Sequence, residues 1–460
     1  NPIPHQTMNK ELWIKIAQFD LDDPPTEYGF STRLANENFW TKNFTQKAIV
    51  EYKKFMFLAA TSDMMVSPSE IVDTVWHQHL IFTQSYQEFC NLLGKQIQHI
   101  PSTHDKKDFQ KFKQAKERTI ELYEENFGEQ PKSIWGYKDM FASLNLEKAT
   151  LKLRTFIIIG ILAFIALVIP FYYLLRPIYI QINNPYFLFY FIGIAIITYI
   201  AFEIYNLYKI KQITKDFDEE SFIYDFEPFE VVFLETQEFN QVINGTINEL
   251  VNNESIQINR NYSIELVTNK GTKSREELQV TTVLSGLGNT YYPALLEQLS
   301  AKPIFANIPN CINAFKKYFN KSKKFGNLFY LNFGILGILF MSGFIRLSIG
   351  FLRGKPITFI FIVLGALLYF IAQHLQRLTT FVCTTIIPKL YKNEILPNLE
   401  TKDNREWKYF LLGTTVLASS FVPLISYVKN NRNIDNDVGC GSSCGSSCGS
   451  SCSSCGGCGD

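Results

Sequence analysis

The stretch "TFIIIGILAFIALVIPFYYLL", residues 155–175, decides the architecture. It carries no charge. As a helix it is about 31 Å long, which matches the hydrocarbon core of a bilayer. Pro170 reads as a kink of the kind membrane helices tolerate. A second such run, "YFLFYFIGIAIITYIAFEIYNLY", covers residues 186–208. Glu203 lies near its end and reads as a side chain that snorkels toward the headgroups. A third run extends from Leu328 to Ile345 and a fourth from Ile357 to Ala372. The expectation is a mainly α protein with four transmembrane helices.

Orientation follows from Lys and Arg in the flanks. Lys148, Lys152 and Arg154 precede the first run, and only Arg176 sits in the loop after it. Lys209, Lys211 and Lys215 follow the second, and Lys316, Lys317, Lys321, Lys323 and Lys324 crowd the entry to the third. Both long polar regions, 1–150 and 209–325, are therefore expected in the cytoplasm. Arg346, Arg353 and Lys355, read as the loop between the last two runs, pull the other way and are outnumbered. The polar start "NPIPHQTMNK" does not read as a signal peptide, and its lack of an initiating Met reads as a trimmed or partial start. A net charge of +1 gives no global pull toward nucleic acid.

Residues 1–150 read as an all-helical domain with its own apolar faces. In "SPSEIVDTVWHQHL", Ser67 is the expected cap, Pro68 fits a first turn and Glu70 completes a capping box. Four of the six histidines, His77, His79, His99 and His104, fall in this region. Histidine is a frequent metal ligand, so Asp73, His77, His79 and His99 are candidates for zinc. Asp73 and His77 are four apart and share a helical face, whereas His79 points about 200° away from His77. An ion site thus needs a break in the helix, with Thr83 opening a second one, and His99 folded back from the loop after Gly94. The alternative is that these histidines are hydrogen-bonded core residues.

A resemblance rests on "EYKKFMFLAA" at 51–60, "VSPSEIVDTVWHQHLIFTQSY" at 66–86, "QHIPST" at 98–103 and "TIELYEENFGEQPKSIW" at 119–135. This ordered set resembles the glycine-rich domain-containing protein-like family over about residues 30–135. Gln98 departs from it, since relatives often carry a second His there. The resemblance implies a kind of domain and brings no agreed activity.

Residues 209–325 read as two helices, about 228–235 and 237–251, then two short strands turning at Arg260-Asn261, then helices near 275–285, 292–300 and 309–320. That order suggests a winged-helix-like α+β module. Charge argues against nucleic acid: the segment holds 13 Lys plus Arg against 15 Asp plus Glu, and 237–251 has neither Lys nor Arg. The lysines at 316–324 suit anionic lipid instead. "NPYFLFYF" and "FEPFEVVFLE" resemble a family of bacterial membrane proteins with this order of spans and module and a Gly/Cys-rich tail, over about 184–460. "EPFE" stands where that family has a D-P-Y-E-like motif. The resemblance implies the inner membrane of a bacterium.

The domain map is then 1–150, spans in 151–208, the module at 209–325, spans in 326–376, a helical segment at 377–438 and a low-complexity tail at 439–460. Residues 409–428 are long enough for a fifth span but only borderline apolar. The tail carries Cys440, Cys444, Cys448, Cys452, Cys455 and Cys458 at spacings that let two thiolates reach one ion. Reduced in the cytoplasm they suit zinc or copper(I), outside they form disulfides, and as simple low-complexity sequence they do neither. No phosphate loop, H-E-x-x-H or G-x-S-x-G is present, so no enzyme activity is assigned. Two functions stay open. One is a membrane scaffold with cytoplasmic protein partners. The other is a metal- or thiol-handling membrane protein using the histidines and the tail.

Overall fold

The computed structural model describes residues 9–100, 106–268, 274–399 and 404–428. The N-terminal region holds α1 (Lys10–Gln18), α2 (Phe30–Asn38), α3 (Lys42–Thr61), α4 (Glu70–Ile81), α5 (Thr83–Leu93), α6 (Lys106–Phe127) and the single turn α7 (Lys132–Trp135). α3 is its central helix, burying Phe44, Tyr52, Phe55, Met56 and Phe57. Thr41 caps it by accepting from the Phe44 N–H.

Four helices among the described residues are long and apolar enough to cross a membrane. They are α8 (Leu153–Tyr179), α9 (Asn184–Thr214), α15 (Lys323–Leu352) and α16 (Thr358–Phe381). Their outward faces are exposed Ile, Leu, Phe and Tyr, as lipid contact requires. α15 packs against the other three. Its Met341, Ile345 and Ile349 meet Phe164, Val168 and Phe171 of α8, and its Leu339 meets Phe187 and Phe191 of α9 and Leu364 of α16. Gly343 permits this closeness, since a Cβ there would lie 2.6 Å from the Phe191 ring and 2.7 Å from Leu364. α8 and α15 start side by side: the Ala149 N–H donates to the Lys321 carbonyl (2.8 Å) and the Lys323 N–H to that of Glu147 (2.7 Å).

Between the two pairs of spans lie α10 (Pro228–Thr236), α11 (Phe239–Asn252), β1 (Ile256–Ile258), β2 (Ser263–Leu266), α12 (Arg275–Leu287), β3 (Thr290–Tyr291), α13 (Tyr292–Ser300) and α14 (Pro303–Asn320). The hairpin turns at Arg260-Asn261 as its sequence suggests. The two-residue β3, too short to register as alternation, adds to it through Ser263↔Tyr291 and Ile264↔Thr290. After α16 the chain stays helical to Asn398. Two π-helical turns, Val382–Ile386 and Tyr391–Ile395, flank the single turn α17 (Ile387–Leu390). Pro388 lies in that turn, and a widened turn accommodates its missing N–H.

Two expectations are corrected here and one open alternative is resolved. Residues 409–428, left open as a fifth span, do not form a spanning helix. α18 (Arg405–Leu412) ends at Gly413, a turn follows, and helix resumes only over 422–428. The segment instead contacts the module: Phe421 meets Tyr292, the Tyr409 hydroxyl donates to Gln241 Oε1 (2.8 Å) and the Ala418 N–H donates to Asn248 (2.8 Å), while Trp407 just before it stacks on Tyr391. Arg346 is not a loop residue. It lies inside α15, where its guanidinium donates to the Tyr179 and Ile182 carbonyls past the end of α8. Ser67 does not cap α4. Ser69 does, accepting from the Val72 N–H, while the Ser67 N–H donates to Thr119.

The N-terminal region, the module and the 404–428 segment share one continuous hydrophobic core. Ion pairs cross the joint: Lys42 to Glu227 (3.1 Å) and Glu276 (3.0 Å), Lys47 to Asp225 (2.7 Å), Arg275 to Asp22 (2.6 Å) and Lys302 to Glu27 (2.7 Å).

Candidate metal centre

The helix carrying "VDTVWHQH" stops at Phe82, and α5 starts at once with Thr83 as its first residue rather than its cap. α5 ends at Gly94, whose φ of +70° suits glycine. The chain then doubles back. Lys95 pins the return, its ammonium donating to the carbonyls of Ala59 (3.1 Å) and Ser62 (2.9 Å). The Tyr86 hydroxyl donates to the Ile97 carbonyl and accepts from the Trp76 indole (3.1 Å). His99 is thereby brought over the first turns of α4.

The result is a cluster of Asp73, His77 and His99, whose ligand atoms all lie within 4.8 Å of one another. His99 Nε2 is 2.9 Å from Asp73 Oδ1, and His77 Nδ1 is 3.6 Å from Asp73 Oδ2. The side chains are graded in exposure, His77 at 56%, Asp73 at 33% and His99 at 16%. Among the described residues, the only basic side chains paired with Asp73 are these two imidazoles. Asp73 and His99 also line a cleft of about 380 Å³ with Phe55, Trp76, Ile97 and Phe112.

His79 is not part of the cluster, correcting its place among the candidate ligands. It is fully buried on the opposite face of α4. Nδ1 meets the Tyr52 hydroxyl (2.8 Å) and Nε2 meets Ser85 Oγ (3.1 Å), so both ring nitrogens are occupied. Phe30, Tyr86 and Phe89 surround the ring. Burial pulls its pKa down to about 4, so it is neutral at physiological pH. His104 and Cys440, Cys444, Cys448, Cys452, Cys455 and Cys458 lie outside the described residues. Of the basic patch, Lys323 pairs with Glu147 (3.3 Å) and Lys324 with Asp216 (2.7 Å), while Lys317 and Lys321 are exposed and Lys316 half-buried.

A second polar group lies inside the spans and escaped the sequence reading. Asn206 of α9 and Asn332 of α15 exchange amide hydrogen bonds of 3.0 and 2.9 Å. His374 of α16 reaches Asn332 Oδ1 through Nε2 (2.9 Å). Beside them Glu203 takes two bonds from Arg377, 3.2 and 3.1 Å. Glu203 therefore pairs with the neighbouring span instead of snorkelling alone. The signal was present: Glu203 and Asn206, like His374 and Arg377, are three apart on one helical face.

At the joint between the N-terminal region and the module, Glu230 is buried and accepts from the Lys42 (3.1 Å) and Glu227 (2.8 Å) backbone N–H groups. Burial, then the charge of Glu227, raises its pKa to about 8 against those two bonds.

A family model described as UCP032817-like matches residues 29–124, the segment that holds the whole cluster. No curated protein and no solved structure matches the chain.

Proposed function

We propose that the protein is a membrane-embedded interaction platform in the inner membrane of a bacterium, with its N-terminus, module and tail in the cytoplasm. In this reading the N-terminal region is a glycine-rich domain-containing protein-like domain. The module is winged-helix-like and serves protein contact. The observation that carries the reading is an apolar edge on the module: Tyr262, Val267, Leu287 and Tyr291 are all exposed along or next to the three-stranded sheet. Tyr262 adjoins Ser263, the partner of Tyr291, so the two rings project from neighbouring positions. Exposed aromatics on a polar body are the usual anchors of protein interfaces. Nucleic acid is disfavoured because α11, the helix that would enter a groove, is covered by the 404–428 segment through Tyr409–Gln241 and Ala418–Asn248 contacts.

Benzoylphenylalanine placed at Tyr262 in living cells tests the reading. Discrete adducts with one protein, lost when Tyr291 is changed to Glu, are expected. No adduct, or an adduct unaffected by the Glu, would overturn it. Impermeant maleimide on intact cells tests the topology, with labelling of the tail cysteines expected only after lysis.

A further inference from the structure

We propose that Asp73, His77 and His99 bind one zinc-class divalent ion, and that the ion keeps one position open to small anions in the adjoining cleft. Two imidazole nitrogens and one carboxylate oxygen are a ligand set that suits zinc. Calcium and magnesium prefer oxygen alone, and copper(I) prefers sulfur. Tetrahedral bonds of the usual length hold donor atoms about 3.3 Å apart. His99 Nε2 lies 2.9 Å from Asp73 Oδ1 and His77 Nδ1 3.6 Å from Asp73 Oδ2, and one donor atom from each of the three residues lies within 4.8 Å of the others, so side-chain rotation has only to bring both nitrogens to one carboxylate oxygen. The scaffold behind the ligands is fixed. Asp73 and His77 are one helical turn apart on α4. The Trp76 ring lies edge-on to His99 at 4.7 Å and is itself held by Tyr86. Such supporting contacts orient an imidazole for a metal.

The open position follows from what surrounds the cluster. Among the described residues it offers three donors, and zinc takes four ligands. The cleft beside Asp73 and His99 mixes apolar walls such as Phe55, Trp76 and Ile97 with polar Asp63, Gln96 and Gln98. The Lys95 ammonium in the cleft is engaged by two carbonyls. One carboxylate leaves a divalent ion with net positive charge, so the fourth ligand is a water or hydroxide that an anion can replace.

The test uses the full chain in detergent, stripped with chelator and reloaded with zinc alone, beside a chain lacking residues 439–460 so that tail thiols are not counted. Elemental analysis should find about one equivalent in the shortened chain. His77→Ala, at an exposed position, and His99→Gln should each weaken binding at least about tenfold with circular dichroism unchanged. Cobalt(II) in place of zinc should give the visible bands of a four-coordinate ion, and azide should shift them. A shortened chain that binds no zinc, or a folded His77→Ala chain that binds as well as the parent, would overturn the site. Cobalt bands indifferent to azide would overturn the open position.

Discussion

Two places in this molecule join histidine to a carboxylate, and they are built to opposite ends. At the surface, Asp73 touches only His77 and His99 among the basic groups of the described residues, and a cleft adjoins it. In the spans, Glu203 is doubly bonded to Arg377, and His374 is 4% exposed and tied to an Asn–Asn pair. The first grouping keeps lone pairs within reach of solvent. The second spends most of its polar atoms on interhelical hydrogen bonds, with His374 Nδ1 left 3.6 Å from Glu203, because hydrocarbon supplies no others. The same residue types thus make a candidate site in one place and a helix clamp in the other, and the surroundings decide which.

The comparison breaks most readily at the fully buried histidine. His79→Ala removes the partner of Tyr52 and Ser85 and leaves a cavity among Phe30, Tyr86 and Phe89. We expect a loss of about 3 kcal/mol, equal with and without zinc. A loss seen only in the zinc-loaded protein would return His79 to the metal site. Next comes the membrane clamp. Asn332→Leu strands Asn206 and His374, and should cost about 2 kcal/mol, read as a lower melting temperature in detergent. An unchanged melting temperature would mean that the clamp contributes nothing.

Glu230 sharpens the contrast between a dry and a wet carboxylate. Its folded pKa of about 8 lies above the ordinary 4.5, so the folded state holds the proton more tightly than the unfolded. Its contribution is complete below pH 4.5 and is lost as pH rises through about 8. The melting temperature should fall over that window, and Glu230→Gln should flatten the fall. A Gln variant with the parent's pH profile would assign the slope elsewhere. The smallest effect is expected at His77, which is mostly exposed. Without metal, His77→Ala should change stability by less than about 0.5 kcal/mol. A large loss in the metal-free protein would make the cluster structural, like the clamp.

The four spans were legible because each is a long, nearly uncharged run of the length a bilayer requires. The same test left 409–428 open between lipid and protein surroundings, and Phe421 there packs on Tyr292 of the module. Length and hydropathy do not distinguish these two apolar surroundings. The helix break after His79 and the return of His99 were stated as conditions for a metal site. Both occur, though Phe82 and Ser69, not Thr83 and Ser67, are the caps. Glu203 read as snorkelling alone, Asn206 and Asn332 drew no notice inside apolar runs, and His374 and Arg377 lay just past the fourth run as hydropathy bounds it. Their meaning lies between helices.

The sequence by itself determined the long apolar helices, the order of the module's helices and hairpin and the shared face of Asp73 and His77, since all three follow from local period and composition. Only the tertiary structure decided that His99 completes the cluster while His79 turns to the core. It also decided that Glu203 meets Arg377 and that residues 404–428 cover α11. Those outcomes depend on which faces of distant segments share one core, and a side chain's chemistry is set by the neighbours that core brings to it.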